Sequence, residues 1–259
     1  MSLVAVVGDG CTTTAVGMAT AWSSLDDPCM VAEFDPAGGC LTAWLDVPRS
    51  PGLAEVAASS TPGSWATIKS MVQRAGSGLD VLVAPTRSVE AAAVVLAATN
   101  TVLPVLSALD WPVVIADGGR LRGGISALVN QAGIVVVAHR QHSGSAAAAA
   151  LGFERLAELT SQLAVRSIPT VIALIGARPY TAEEVSDFVH ADTVVSLAED
   201  PWAAAVLAGR AGSAVRLRRS PLMRTLADLA GVVSTSLRHN RVTDGWRPNT
   251  TGRTVDERS

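Results

Sequence analysis

The chain has 259 residues, of which 49% are apolar, and its formal net charge is −3. This length favours one large α/β domain over two small ones. The negative charge argues against binding to nucleic acid by bulk electrostatic attraction. No apolar run reaches the roughly 18 residues of a membrane-spanning helix, and the first residues lack the pattern of a signal peptide. We therefore expect a cytoplasmic protein.

Short β-branched runs alternate with Ala-rich stretches along the chain. The runs predict strands over 3–7, 30–34, 80–84, 112–117, 133–138, 170–175 and 193–197. The stretches predict helices over 13–24, 52–58, 64–76, 88–107, 120–131, 145–164, 181–190, 201–210 and 221–237. This alternation is typical of right-handed βαβ units. It predicts an α/β fold, with a single three-layer domain over 1–237 and a mostly parallel sheet of seven or eight strands covered by helices on both faces. The Arg-rich residues 238–259 are expected to form a flexible tail.

The first stretch with possible chemistry, "VGDGCTTTAVG", joins the first predicted strand to the first helix. Gly8 and Gly10 fit the turn of a phosphate-binding loop, and Thr12 or Thr13 fits the position whose hydroxyl binds Mg²⁺. Cys11 stands where such loops carry lysine, and it cannot neutralise phosphate charge. Asp9 adds a negative charge at the mouth of the loop. An ordinary strand-to-helix turn with a Thr cap explains the same pattern.

Acidic residues follow two further predicted strands. Glu33 and Asp35 end the second strand, where side chains two apart share a face and would face a ligand crevice. Asp117 ends the strand over 112–117, at a place suited to holding Mg²⁺. Each acid has a plainer interpretation as a turn or helix cap. The three stretches together are more specific than any one alone.

In this order, the stretches around Gly10, Asp35 and Asp117 resemble the MinD/ParA family of deviant-Walker-A P-loop ATPases, which includes septum-site and pilus-assembly proteins. The resemblance covers about residues 1–235 and implies a P-loop NTPase-like fold. It also implies a site for ATP or ADP at residues Gly8, Gly10, Cys11, Thr12 and Thr13. By the same resemblance, Mg²⁺ would lie at Thr12, Asp35 and Asp117, and Asp35 is the catalytic candidate.

The chain departs from the family pattern lysine-Gly-Gly-x-Gly-lysine-Thr-Thr/Ser at both lysines. Val6 and Cys11 stand in their places, and no Asn that would contact adenine is found in the strand over 170–175. Lys69, the only lysine of the chain, follows no Gly-rich turn. Arg120 and Arg140 are the candidate substitute cations. Nucleotide and Mg²⁺ binding are accordingly expected to be weak or absent.

Three functions remain open from the sequence. The first is a regulatory or scaffolding pseudo-ATPase in spatial organisation, acting through a protein partner of a polar pilus or secretion, septum-placement or partition system. The second is an active Mg-ATP-dependent ATPase that forms a homodimer. The third is a DNA-associated partition protein that uses the Arg-rich tail, although the net charge makes nucleic acid an unfavourable partner. Membrane association is expected only as peripheral binding through partners.

Overall fold

The computed structural model of the chain describes residues 2–22, 25, 27–59, 64–121, 126–141 and 144–245. Its described residues include one sheet of eight strands in the order β3-β4-β2-β5-β1-β6-β7-β8. The strands are β1 (Leu3–Gly8), β2 (Cys29–Glu33), β3 (Gln73–Arg74), β4 (Asp80–Leu82), β5 (Val113–Asp117), β6 (Ile134–Arg140), β7 (Thr170–Ile175) and β8 (Val194–Leu197). All neighbours pair in parallel except β3 and β4, which are antiparallel. The predicted sheet is confirmed.

Twelve helices lie between and around these strands within the described residues. They are α1 (Cys11–Trp22), α2 (Leu41–Trp44), α3 (Leu53–Ala58), α4 (Trp65–Met71), α5 (Ser88–Thr101), α6 (Leu103–Ala108), α7 (Ala127–Gln131), α8 (Ala146–Val165), α9 (Ala182–Val189), α10 (Pro201–Leu207), α11 (Ala214–Arg218) and α12 (Pro221–Gly245). In that part of the chain, no helix has the length and apolar character needed to cross a bilayer.

The helices cover both faces of the sheet, as predicted. Successive side chains of β1 point to opposite faces, so that Val4 and Val6 join the core under α1, α10 and α12. Ala5 and Val7 join the core under α3 to α9. All four side chains are fully buried. Burial on both faces explains why β1 lies at the centre of the sheet, between β5 and β6.

Several predicted boundaries differ from the structure. The helix predicted over 88–107 is two helices, α5 and α6, and Pro104 lies in the first turn of α6, where its missing N–H is tolerated. The helix predicted over 120–131 includes residues outside the described ranges, and of its described residues only Ala127–Gln131 are helical, as α7. The helix predicted to end at 237 continues to Gly245 as α12. The remainder of the predicted tail, 246–259, lies outside the described residues.

Candidate functional site

A turn of two residues, Asp9 and Gly10, joins β1 to α1. Gly8 and Gly10 on either side of Asp9 have φ angles of +106° and +90°, in the region that only glycine adopts readily. A Cβ atom on Gly8 would lie 2.2 Å from the carbonyl oxygen of Ala138 on the adjacent β6. The glycines thus allow the chain to reverse direction in direct contact with the neighbouring strand.

The backbone N–H groups of this turn fall into two sets. Those of Gly8 and Asp9 donate to the carbonyl oxygens of Gly119 and Ala138, at 3.0 and 2.8 Å. The next four, from residues 10–13, have no hydrogen-bond partner in the described part of the chain. They are the free donors found at the start of any helix, and their residues border a large cavity. Only the second set is available to an anion.

The predicted Mg²⁺ residues Thr12, Asp35 and Asp117 come together at this turn. The Thr12 side chain lies near the buried carboxyl group of Asp117 and lowers its pKa. The Asp35 carboxyl group lies against Gly119, where a Cβ atom would meet its Cγ at 2.2 Å. Within the described ranges, no group of three or more His, Cys, Asp or Glu residues is arranged to hold a metal ion by itself.

Cys11 is buried and faces the same carboxyl group. Its side chain is 5% exposed, and burial, followed by the charge of Asp117, raises the pKa of the thiol strongly. Burial likewise raises the pKa of Asp117, and the hydrogen bond from the Gly119 N–H and the nearby side chains of Thr12 and Cys11 oppose this shift. The thiol is therefore neutral at physiological pH, so the position of the family lysine carries no positive charge.

The prediction that Glu33 faces the ligand crevice is wrong. Its side chain is buried and accepts hydrogen bonds from the backbone N–H groups of Cys40, Leu41 and Ala84, at 2.6, 2.8 and 2.9 Å. Burial raises its pKa to about 7, although these hydrogen bonds oppose the shift. β2 ends at Glu33, so the strand alternation that would place Asp35 beside it no longer applies. Glu33 holds the loop that carries Asp35.

Asp35 itself lies in a turn. Its Oδ1 accepts a hydrogen bond of 2.7 Å from the N–H of Ala37, and its backbone carbonyl accepts one from Gly38. This is the capped turn that Asp-Pro sequences favour. The carboxyl group is half-buried and borders the large cavity together with Thr12. The two interpretations of Asp35, turn residue and ligand of a site, are thus compatible in space.

Arg120 forms an ion pair with Asp9 at the mouth of the turn. Its Nη2 lies 2.8 Å from Oδ1 of Asp9, and the Arg120 side chain is 69% exposed. The pair lies between two cavities, since both residues border the large one and a second one near β6 and α8. The candidate substitute cation thus neutralises the nearby carboxylate. Arg140, the other candidate, pairs instead with Glu199.

The large cavity has a volume of about 1000 Å³ and extends from the turn to α5 and α7. α5 contributes an apolar wall that was not predicted, because its sequence "SVEAAAVVLAATNT" carries no recognisable motif. On the opposite side of the turn, the cavity beside Ile175 and Arg140 is only about 160 Å³. Ile175 packs directly on Gly10, at 2.8 Å from the position of a Cβ atom there.

The fold matches a known class of proteins. A ParA family ATPase from Chlorobium tepidum TLS superposes with a TM-score of 0.67 at 19% identity, covering 88% of this chain and 97% of its own. The MinD protein of Pyrococcus horikoshii OT3 in complex with Mg-ADP superposes with a TM-score of 0.64 at 14% identity, covering 89% of this chain and 94% of its own. The Aquifex aeolicus MinC:MinD complex superposes with a TM-score of 0.65 at 13% identity, covering 96% of this chain and 98% of its own. No family model and no curated protein sequence matches the chain.

The chain therefore has the fold of the ParA and MinD ATPases, as the resemblance predicted. At these identities the match defines the architecture. What the chain binds and does has to be argued from its own residues.

Proposed function

We propose that this chain is a regulatory or scaffolding pseudo-ATPase that binds nucleotide weakly or not at all and acts through protein contacts. The observation that carries the proposal is the two-residue turn between β1 and α1. A phosphate-binding loop of the G-x-x-x-x-G-K-[ST] type needs four residues between its glycines. With the second glycine at Gly10, the first would fall at Ala5, which is fully buried inside β1. The chain has no length left to wrap phosphates.

Hydrogen bonding supports the same conclusion. A working loop directs successive N–H groups toward the phosphates. Here the N–H groups of Gly8 and Asp9 are used within the sheet. Val6, which stands in the place of the first lysine of the family pattern, is likewise buried in β1, opposite Asp117. Neither of the two candidate substitute cations in the described residues is free, because Arg120 and Arg140 are both paired with carboxylates.

The side expected to hold the base is also reduced. The family resemblance places the adenine contact near the end of β7, where Ile175 stands. Ile175 covers Gly10, and the Arg140–Glu199 pair borders the remaining cavity of about 160 Å³. A buried aliphatic side chain offers no hydrogen bond to a base edge. A nucleotide would thus gain little at either end.

Residual Mg²⁺ binding has some support. Thr12, Asp35 and Asp117 offer the hydroxyl and carboxylate oxygens that Mg²⁺ prefers, and four helix N–H groups lie beside them. These residues would hold the ion only together with a phosphate ligand, since Mg²⁺ keeps several waters and needs further oxygens. This cluster is what favours the second function, an active Mg-ATP-dependent ATPase with Asp35 as the catalytic candidate.

The cellular role is proposed from the fold class. The similar structures include MinD cell division proteins, a plasmid partition protein and a MinC:MinD complex. They support a role in spatial organisation, through a protein partner of a division or partition system. A partner in a polar pilus or secretion system is proposed by analogy with the family resemblance alone. We place this role in residues 1–237, with the Arg-rich end of the chain as an appendage and with homodimerisation as an accompanying property.

Nucleotide binding tests the proposal directly. Titration with a fluorescent ATP analogue, with and without Mg²⁺, should show no saturation below about millimolar concentration, for which the binding free energy is about −4 kcal/mol. The reason is that the turn is too short to wrap phosphates and that the candidate cations of the described residues, Arg120 and Arg140, are paired with carboxylates. A ParA ATPase serves as the positive control. Micromolar binding with Mg²⁺-dependent hydrolysis would establish the active ATPase instead.

Restoring only the lysine separates lost charge from lost shape. We expect Cys11→Lys to create no saturable binding of the same analogue, because the side chain at this position is directed toward Asp117 and the turn remains short. Cys11→Met, of similar bulk without charge, is the matched control for packing changes. If Cys11→Lys binds the analogue in the micromolar range while Cys11→Met does not, only charge was missing and our account of the turn is incorrect.

A further inference from the structure

An aromatic groove lies between α8 and α9, away from the turn between β1 and α1. Its volume is about 360 Å³. The residues that line it are Ala150, Phe153, Glu154, Tyr180, Glu184, Val185 and Phe188. The chain contains three Phe and one Tyr, so three of these four rings lie in this one groove. The Phe and Tyr rings of this chain are thus concentrated in one groove.

The rings are arranged around Phe153. Its centroid lies 5.1 Å from that of Tyr180 and 6.4 Å from that of Phe188, both nearly perpendicular to it. Phe153 is buried and packs into the core, whereas Tyr180 and Phe188 are 39% and 55% exposed. Exposing two aromatic rings beside a buried third has a hydrophobic cost that folding alone does not explain. Their exposed area is available to a ligand.

The charges of the groove have a single sign. Among the described residues that line it, two are acidic and none is basic. Glu154 has no hydrogen-bond or ion-pair partner in the described part of the chain, and neither does the Tyr180 hydroxyl. Glu184 is fully exposed, and its pKa is lowered by its hydrogen bonds with Thr181. Carboxylates beside exposed aromatic rings are surroundings that favour a cation.

Buried polar contacts hold the groove in shape. The side chain of Gln141, only 7% exposed, donates to the carbonyl oxygens of Gly176 and Tyr180 and accepts from the Tyr180 N–H. Thr181 and Glu184 form a capping box that fixes the start of α9. The wall formed by Tyr180 and the start of α9 is therefore fixed by hydrogen bonds before any ligand arrives, which lowers the entropic cost of binding.

We propose that the aromatic groove binds an arginine side chain presented by a partner polypeptide. A guanidinium group stacks on aromatic rings and donates in pairs to carboxylates, so it suits both features of the groove. The chain's own Arg-rich end is less suited. Near the end of α12, Arg238 pairs with Asp27. Asp27 precedes β2, so this end of α12 lies at the amino ends of the parallel strands. Tyr180 follows the carboxyl end of β7, at the opposite edge of the parallel sheet. The proposal is independent of the nucleotide site.

The single tyrosine makes the groove observable. Labelling with 3-fluorotyrosine gives one fluorine NMR signal, from Tyr180, in the full-length chain. The probes are the blocked peptide Gly-Gly-Arg-Gly-Gly and its citrulline analogue, which keeps the shape and loses the charge. We expect a saturable shift with the arginine peptide and none with the citrulline peptide. Equal shifts with both peptides, or no saturable shift with either, would overturn the proposal.

Variants assign the effect to the groove. Glu154→Gln with Glu184→Gln should weaken the arginine peptide about three- to tenfold, since glutamine keeps the capping box but removes the charges. Phe188→Ala should weaken it about threefold or more through the lost ring. Asp187→Asn, on an exposed acid of α9 outside the groove, should leave binding unchanged. If Asp187→Asn weakens binding as much as the double variant, general charge is responsible and the site is not the groove.

Deletion of residues 246–259 should leave binding of the arginine peptide unchanged. Loss of binding in the shortened chain would implicate the chain's own end and overturn the proposal.

Discussion

Gly8→Ala is expected to lower the free energy of unfolding by about 3 kcal/mol or more, which places it among the most damaging single substitutions. The new Cβ would lie 2.2 Å from the Ala138 carbonyl oxygen, a backbone atom of the central strand β6. The φ angle of +106° is also one that alanine rarely adopts. Relief requires moving β1 away from β6, at the centre of the sheet. Chemical denaturation followed by circular dichroism measures the effect.

Gly231→Ala is the matched control. Gly231 lies within α12, has no positive φ angle, and would place a Cβ atom where nothing lies within 4 Å. Alanine has the higher helix propensity, so this variant should be more stable by up to about 1 kcal/mol. A Gly8→Ala protein that unfolds at the same denaturant concentration as the unsubstituted chain would show that the turn does not hold the contact with Ala138.

The sequence predicted the architecture well because its signals are local. β-branched runs alternating with Ala-rich stretches define parallel strands and covering helices, and seven strands appear where they were predicted. β3 was not predicted, because it consists of only Gln73 and Arg74 and exists through pairing with β4. The short helices α2 and α11 were missed for a similar reason: four or five residues show no hydrophobic period.

The site was predicted in part. Thr12, Asp35 and Asp117 come together because β1, β2 and β5 are neighbours in a parallel sheet whose carboxyl ends share one edge. What the pattern could not predict is how each group is used. The inward turn of Glu33 depends on β2 ending there, and the pairing of Arg120 with Asp9 depends on contacts between residues distant in sequence. Ile175 reaches Gly10 only through the order of β1, β6 and β7 in the sheet.

The stability of the protein should fall as pH rises, with Glu33 as an identifiable source. Burial raises the pKa of Glu33 to about 7, from an ordinary value of 4.5. Below pH 4.5 both the folded and the unfolded states hold the proton. Between the two values the folded state holds a proton that the unfolded state releases, so the stabilisation is lost as pH rises through about 7. The loss amounts to about 3 kcal/mol. Denaturation at several pH values measures it.

Glu33→Gln should flatten this pH dependence and lower stability most at pH 5. The carboxyl group accepts from Cys40 and Leu41 through Oε1 and from Ala84 through Oε2. An amide offers one oxygen, so its NH₂ group would face a backbone donor, at a cost of about 1–3 kcal/mol. The curves of the two proteins should therefore converge above pH 7, where the unsubstituted chain has lost the benefit of its proton. Asp117, whose pKa is also raised by burial, contributes to the slope in both proteins. Glu90→Gln, on an exposed acid of α5, should keep the original slope. An unchanged slope in Glu33→Gln would mean that Glu33 is ionised in the fold across this range, with its three N–H donors outweighing burial.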